Sequence, residues 1–302
     1  MAAPLFDAAF LARLEYLALV SRRVFAGALL ARRRTRKLGS GVEFADHRAY
    51  APSDDFRYLD WALYARTDQL LLKRFSEEED LYVYLLLDGS RSMALGEPPK
   101  FDHARRLAAA LAYVALDDLD RVALTAFGGG AAAEFPPARG KGRVLALLDF
   151  LTRLRADQDA TDLSRACARF VQRAPRRGLV VLLSDLYDPA GFAAGIDCLR
   201  HHNFEVHVIQ VHDPREADPA LRGDLELRDV ETDALRTVTV NEASLRHYRR
   251  LFADFQRRLR DYCRAHALPC TVASTAVPFD QLLLGMMRAA GTVGPRGGRG
   301  VR

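Results

Sequence analysis

The sequence predicts an α/β fold of three layers, doubly wound about a mostly parallel sheet. Three observations carry that expectation. First, five short, mainly apolar runs read as strands buried on both faces, because their apolar residues are not confined to alternate positions: Leu81–Leu87, Val122–Phe127, Leu179–Leu183, Val206–Val211 and Cys270–Ala273. Second, helical patterns of about ten or more residues stand between or beside them, near Asp102–Leu116, Gly142–Leu154, Leu163–Arg173, Ala190–His201 and Ser244–His266. Third, parallel neighbours need crossovers of that length, whereas antiparallel neighbours can turn within two residues.

Residues 4–34 carry Phe6, Phe10, Leu14, Leu17, Val20 and Val24 at spacings of three and four, one apolar helical face. A basic, turn-rich bridge, RRRTRKLGSGVEF, follows. The stretch YAPSDDFRYLDWALYARTDQLLLKRF, residues 50–75, is dense in aromatics, arginines and aspartates with weak periodicity, which predicts irregular chain held by polar contacts. One excursion interrupts the later alternation. GDLELRDVETDALRTVTVN alternates apolar and polar residues on both sides of a turn-forming centre, a β-hairpin between Leu225 and Val240. The closing AAGTVGPRGGRGVR has almost nothing to bury and is expected to be a disordered basic tail. Residues 1–79 are thus expected to pack onto an α/β domain of 80–290, with 291–302 as the tail.

Composition excludes several classes of function. At 302 residues and 49% hydrophobic, the chain can bury a sizeable core, and much of its net charge of +5 sits in ARRRTRK and GPRGGRGVR. The Arg32–Lys37 run has no aromatic residues interleaved as a stacking platform, so nucleic acid is not the expected partner. Asp7, Arg13, Glu15, Arg22 and Arg23 interrupt the apolar start too often for a membrane span, and a cytoplasmic protein is expected. Cys167, Cys198, Cys263 and Cys270 form no C-x-x-C pair, which supports neither a zinc knuckle nor a redox motif and leaves reduced thiols. FGGGAAAE lacks the lysine and hydroxyl residue of a phosphate loop, so an intrinsic ATPase is not expected.

In open parallel sheets, chemistry gathers where strands end at the carboxyl edge. In LYVYLLLDGSRSM the oxygen-bearing residues Asp88, Ser90 and Ser92 follow the first buried strand at alternate positions. DQDATDL offers Thr161 at the entry to a helix, and LVVLLSDLYD puts Ser184 and Asp185 past another strand. Oxygen-only donors select a hard cation, Mg²⁺ with Mn²⁺ or Ca²⁺ as alternatives, over zinc or copper. An ion whose direct ligands are hydroxyls stays electron-poor and attracts a carboxylate from outside.

This constellation resembles the metal-ion-dependent adhesion site of von Willebrand factor type A domains, with Asp88, Ser90, Ser92, Thr161 and Asp185 at its five positions. The resemblance implies that the hydroxyls touch the metal, that the aspartates act largely through water, and that a partner's Glu or Asp completes the shell. The stretch from Gly39 to Met93 is similar in turn to the hallmark region of the bacterial domain of unknown function 58 family. FDHARRLAAALAYVALDDLDRVAL, RRGLVVLLSDLYDP and HDPREADPALRGDLELRDVET extend the likeness over all but the two ends. Where that family usually has Pro-Gly-Asp-Asp, this chain has Pro52-Ser53-Asp54-Asp55. The resemblance implies a metal-dependent protein-binding adaptor that works with a MoxR-type AAA+ ATPase in assembling or maturing other proteins.

Blander readings stand beside this one. Ser90, Ser92 and Thr161 could instead serve turn formation and helix capping, Thr161 above all, and Ser184 with Asp185 could only close a turn, but the three stretches together favour the metal reading. A Mg²⁺-dependent hydrolase or phosphotransferase would use the same cation as a Lewis acid. Its haloacid-dehalogenase-like version wants a second acid two residues beyond Asp88, where Ser90 stands. Asp54, Asp55, Arg57, Asp60, Trp61 and Arg66 read as ion pairs and a packed tryptophan that fix the N-terminal region to the sheet, in preference to an active site.

Overall fold

The computed structural model describes residues 5–25, 34–38, 43–52, 54–78, 81–128, 132–157 and 162–292. Helix α1 (Ala8–Phe25) precedes three strands, β1 (Arg34–Leu38), β2 (Glu43–Ala49) and β3 (Leu71–Glu78), with the short helix α2 (Trp61–Thr67) between the second and third. Next come β4 (Tyr82–Asp88), α3 (Lys100–Asp117), β5 (Arg121–Phe127), β6 (Ala133–Arg139), α4 (Val144–Arg153), α5 (Leu163–Arg173) and β7 (Leu179–Ser184). The chain then runs through α6 (Ala193–His201), β8 (Glu205–His212), α7 (Pro214–Ala217), the hairpin β9 (Gly223–Arg228) and β10 (Leu235–Val240), α8 (Glu242–Ala265), β11 (Cys270–Ser274) and α9 (Phe279–Thr292).

All five apolar runs enter one sheet, ordered β11-β8-β7-β4-β5-β6, in which only β6 is antiparallel to its neighbour. The chain is therefore mixed α/β with a central, mostly parallel sheet. Strand β4 shows why its sequence does not alternate. Val83, Leu85 and Leu87 join a core with α1, α3, α4 and α9, while Tyr84 and Leu86 join a second core with α5, α6 and α8 on the other face. Alanines 104, 108, 109, 110 and 112 are all buried along α3, small side chains that let the helix lie close to the sheet. Buried Arg105 donates to the carbonyls of Leu151, Thr152 and Leu154, which closes the C-terminal end of α4. The order reverses at β4: β5 and β6 lie on one side of it, and β7, β8 and β11 on the other.

The predicted strands match to within one or two residues, and the hairpin stands where the alternation puts it. Three elements were not expected. Helix α9 packs Phe279 and Leu283 into the first core. Residues 291 and 292 of the expected tail belong to this helix, and 293–302 lie outside the described residues. Strand β6 carries Pro136 and Pro137, and its register with β5 shifts opposite them, between Val122 and Leu124. Such a pair of prolines is tolerated only at an edge or a bulge, and both conditions are met here.

The third departure is a correction. The expected bridge and irregular segment instead form a three-stranded antiparallel sheet, β1-β3-β2, with α2 beside it. The apolar pattern hides it, because β2 (EFADHRA) and β3 (LLKRFSEE) interleave charges and carry no apolar face along their length. The following ion pairs lie within this unit. Arg48 holds both carboxylate oxygens of Asp54 at 2.6 Å, Asp60 meets His47 at 3.0 Å and Lys73 at 3.5 Å, and Arg57 pairs with Asp55. Trp61, expected to be packed, is 59% exposed. Ser53 and residues 32–33 of the basic run lie outside the described residues. In contrast, α1 is integral: Phe10, Leu14 and Leu17 are buried against α3 and α9, each contributing roughly 1.5–3 kcal/mol.

Candidate metal centre

Asp88 ends β4 and Asp185 follows β7, so both aspartates stand at the carboxyl edge where the strand order reverses. Asp88, Ser90, Ser184 and Asp185 are all 0% exposed, and Ser92 is buried. The structure brings these residues together. Asp88 Oδ1 accepts from the Ser90 amide at 3.0 Å, and Asp88 Oδ2 accepts from Ser184 Oγ at 2.5 Å. The hydroxyls of Ser90 and Ser92 lie 3.0 Å apart. Asp185 Oδ1 accepts from the Tyr187 amide, and its Oδ2 accepts from Lys100 Nζ at 2.7 Å.

Several of the blander readings meet geometry that limits them. Ser90 precedes a single 3₁₀ turn, Arg91–Ala94, yet its side chain caps nothing there. Ser184 does close a turn, accepting from the Leu186 amide at 2.8 Å, but it also reaches across to Asp88. Leu186 takes a left-handed φ of 63° immediately after Asp185, a conformation that costs a non-glycine residue about 1–3 kcal/mol. Thr161 lies outside the described residues. The cap of α5 is Asp162, whose side chain accepts from the Arg165 amide, so that helix is capped by the residue after the threonine. The Leu163 amide donates to Asp188 Oδ2 at 2.8 Å, which ties the start of α5 to the loop beyond Asp185.

Three participants escape sequence reading: Lys100, Glu216 and Tyr187. Lys100 is 0% exposed, and its ammonium touches Asp185 Oδ2 at 2.7 Å and Glu216 Oε1 at 2.5 Å. The Tyr187 ring centroid is 4.9 Å away. Gly96 sets the turn that delivers this lysine: at φ 108°, a Cβ there would stand 2.8 Å from Asp213 Oδ2 and 2.9 Å from the Pro98 carbonyl oxygen. The local signal is a cation on the first residue of a helix, where the positive end of the helix dipole disfavours it.

Electrostatics at this edge favour an added cation. Burial and the neighbouring Asp185 push Asp88 up to about 7, against the opposing hydrogen bonds from Ser184 and Ser90. Burial alone would lower Lys100, but Asp185 and Glu216 outweigh it and raise its pKa, so the ammonium stays charged. Burial, then Glu216 and Asp185, raises the Tyr187 phenol. Asp185 and Glu216 share the one Lys100 ammonium, and Asp88 lies close enough to Asp185 to feel its charge. Hydroxyls of Ser90 and Ser92 beside two buried carboxylates are a donor set that fits a hard divalent ion. Among the described residues, no group of three or more His, Cys, Asp or Glu is arranged to hold a metal.

The model of the family described as "Protein of unknown function DUF58" matches residues 46–260. The chain belongs to the DUF58 family. Uncharacterized proteins of Mycobacterium tuberculosis and Mycobacterium bovis are each 28% identical to this DUF58 chain over 209 residues, 68% of its length. The chain spans 66% of the length of these curated relatives. Among solved structures, BatB from Bacteroides thetaiotaomicron covers 70% of this DUF58 chain and 98% of its own, at 15% identity and a TM-score of 0.44. An aerotolerance-related membrane protein from Bacteroides fragilis, with multiple mutations to serines, covers 70% and 100%, at 17% identity and a TM-score of 0.45. Among the described residues, no helix is long and apolar enough to cross a membrane.

Proposed function

We propose that this DUF58 protein is a metal-dependent protein-binding adaptor of the von Willebrand factor A type. Ser90, Ser92 and Thr161 would hold Mg²⁺, with Mn²⁺ or Ca²⁺ as alternatives, and Asp88 and Asp185 would support it from beside. One observation carries the reading: Asp88, Ser90, Ser92 and Asp185, all buried, gather at the carboxyl edge of the sheet, where Asp185 and Glu216 share the one Lys100 ammonium. When bound, the ion supplies a positive charge that an external carboxylate can meet.

The chain's own residues prepare that encounter. Ser184 and the Ser90 amide orient Asp88, while Lys100 and the Tyr187 amide orient Asp185. Arg91, between the two serines, pairs with Asp233 in the hairpin turn at 3.2 Å, which brings the β9–β10 tip beside this edge of the sheet. A partner's acidic side chain thus meets an edge built from two distant stretches of chain. The resemblance to MoxR-associated proteins points to a MoxR-type AAA+ ATPase as that partner, acting in the cytoplasm on the assembly or maturation of other proteins.

The test is binding of the purified chain to a MoxR-type ATPase of its own organism, with Mg²⁺ or with a chelator. Complex formation should need the cation and should be lost in Asp88→Ala. Binding indifferent to both changes would sink the adaptor reading. Turnover of generic phosphoesters that vanishes in Asp88→Ala would replace it with a Mg²⁺-dependent hydrolase or phosphotransferase.

A further inference from the structure

We infer that Lys100 is the built-in rival of the metal ion: its ammonium neutralises Asp185, and it sets how tightly a divalent cation can load. The inference rests on the metal-dependent reading and specifies its regulation. Lys100 reaches Asp185 from the first residue of α3 with its side chain entirely buried. Its ammonium lies between Asp185 Oδ2, Glu216 Oε1 and the face of Tyr187. A buried ammonium is expensive, and a methionine or leucine would fill the space without the desolvation penalty, so what the lysine adds at this position is its charge.

That charge bears on the site directly. Asp185 Oδ2 is the oxygen that Lys100 holds, and Oδ1 is engaged by the Tyr187 amide, so both oxygens of this aspartate already have a donor, and one of the two donors is charged. A divalent ion drawn to Asp185 meets a fixed positive charge on the same carboxylate. Glu216 gives that charge a second anchor. It is fixed in the capping box of α7, where its Oε2 accepts from the Asp213 amide at 2.9 Å while Oε1 holds the ammonium. The ammonium therefore has a carboxylate to remain with when a cation takes Asp185, and the affinity of the seat reflects the balance between the two acids. With Lys100 in place, the surplus negative charge is small, and a partner's carboxylate adds the charge that favours retention of the ion.

The experiment is Mn²⁺ titration of the intact chain, followed by electron paramagnetic resonance and by calorimetry, in wild type, Lys100→Gln, Lys100→Arg and Glu216→Gln. Lys100→Gln should bind Mn²⁺ at least about tenfold more tightly than wild type, and Lys100→Arg should stay close to wild type. Glu216→Gln, which leaves the ammonium to Asp185 alone, should bind more weakly. A purely structural lysine would give the opposite sign in Lys100→Gln, because a damaged site binds less; equal or weaker binding in that variant overturns the inference. Should Lys100→Gln fail to fold, unchanged affinity in Glu216→Gln overturns it instead. Binding in Lys100→Gln but none in wild type would uphold the rivalry and sink the metal-dependent function of the native chain. An absence of binding in every variant would overturn both.

Discussion

Ser184 Oγ donates to Asp88 Oδ2 at 2.5 Å, joining the last residue of β7 to the last residue of β4 with both side chains buried. The bond satisfies an oxygen that has no access to solvent. Ser184→Ala should therefore cost about 1–3 kcal/mol of stability, the penalty for a buried acceptor left unmade. Urea denaturation in chelator measures it, and a loss below about 0.5 kcal/mol would show that this link is dispensable.

Two buried groups tilt stability with pH in opposite senses. Burial, with Arg106 adding to it, lowers His103 to about 4, so the folded state resists a proton that the unfolded chain takes up near pH 6.5. The contribution of His103 is present above about pH 6.5 and is lost as pH falls toward 4. Asp88 runs the other way. Its pKa is raised to about 7, so its contribution is complete below about pH 4 and is lost as pH rises through 7. In chelator, His103→Asn should flatten the acid-side loss, and Asp88→Asn should flatten the loss toward neutrality. A variant whose pH profile parallels that of wild type would refute its own assignment.

Helix α1 should unfold together with the main sheet. Leu14 is fully buried against the first core, and Leu14→Ala should cost about 2–5 kcal/mol in one cooperative transition. A separate low-denaturant phase with an unchanged main transition would show that α1 is only loosely attached.

The single tryptophan gives a direct check on the small sheet. Trp61 is 59% exposed, so its fluorescence should peak near that of tryptophan in water and be readily quenched by iodide. Trp61→Phe should change stability by less than about 0.5 kcal/mol. Blue-shifted emission would mean that the ring is covered.

Much of the fold was legible because burial on both faces of a parallel sheet leaves a continuous apolar signature, as in β4 and β7. Asp88 and Asp185 were legible for a related reason, since a charge that ends such a run marks the strand's carboxyl edge. Local pattern holds no trace of contacts between distant residues. Lys100 meets Asp185 and Glu216 across 85 and 116 residues, and only the three-dimensional path brings them together. The small sheet was illegible because its strands interleave charges, and β6 because a proline pair ordinarily argues against a strand.

The proline pair in β6 also governs how the molecule can associate. Neither Pro136 nor Pro137 has an amide hydrogen to donate, and the bulge they occupy breaks the regular spacing that a foreign strand would need along β6. Lateral growth of the sheet on that flank is therefore blunted, along with the edge-to-edge stacking that begins many aggregates.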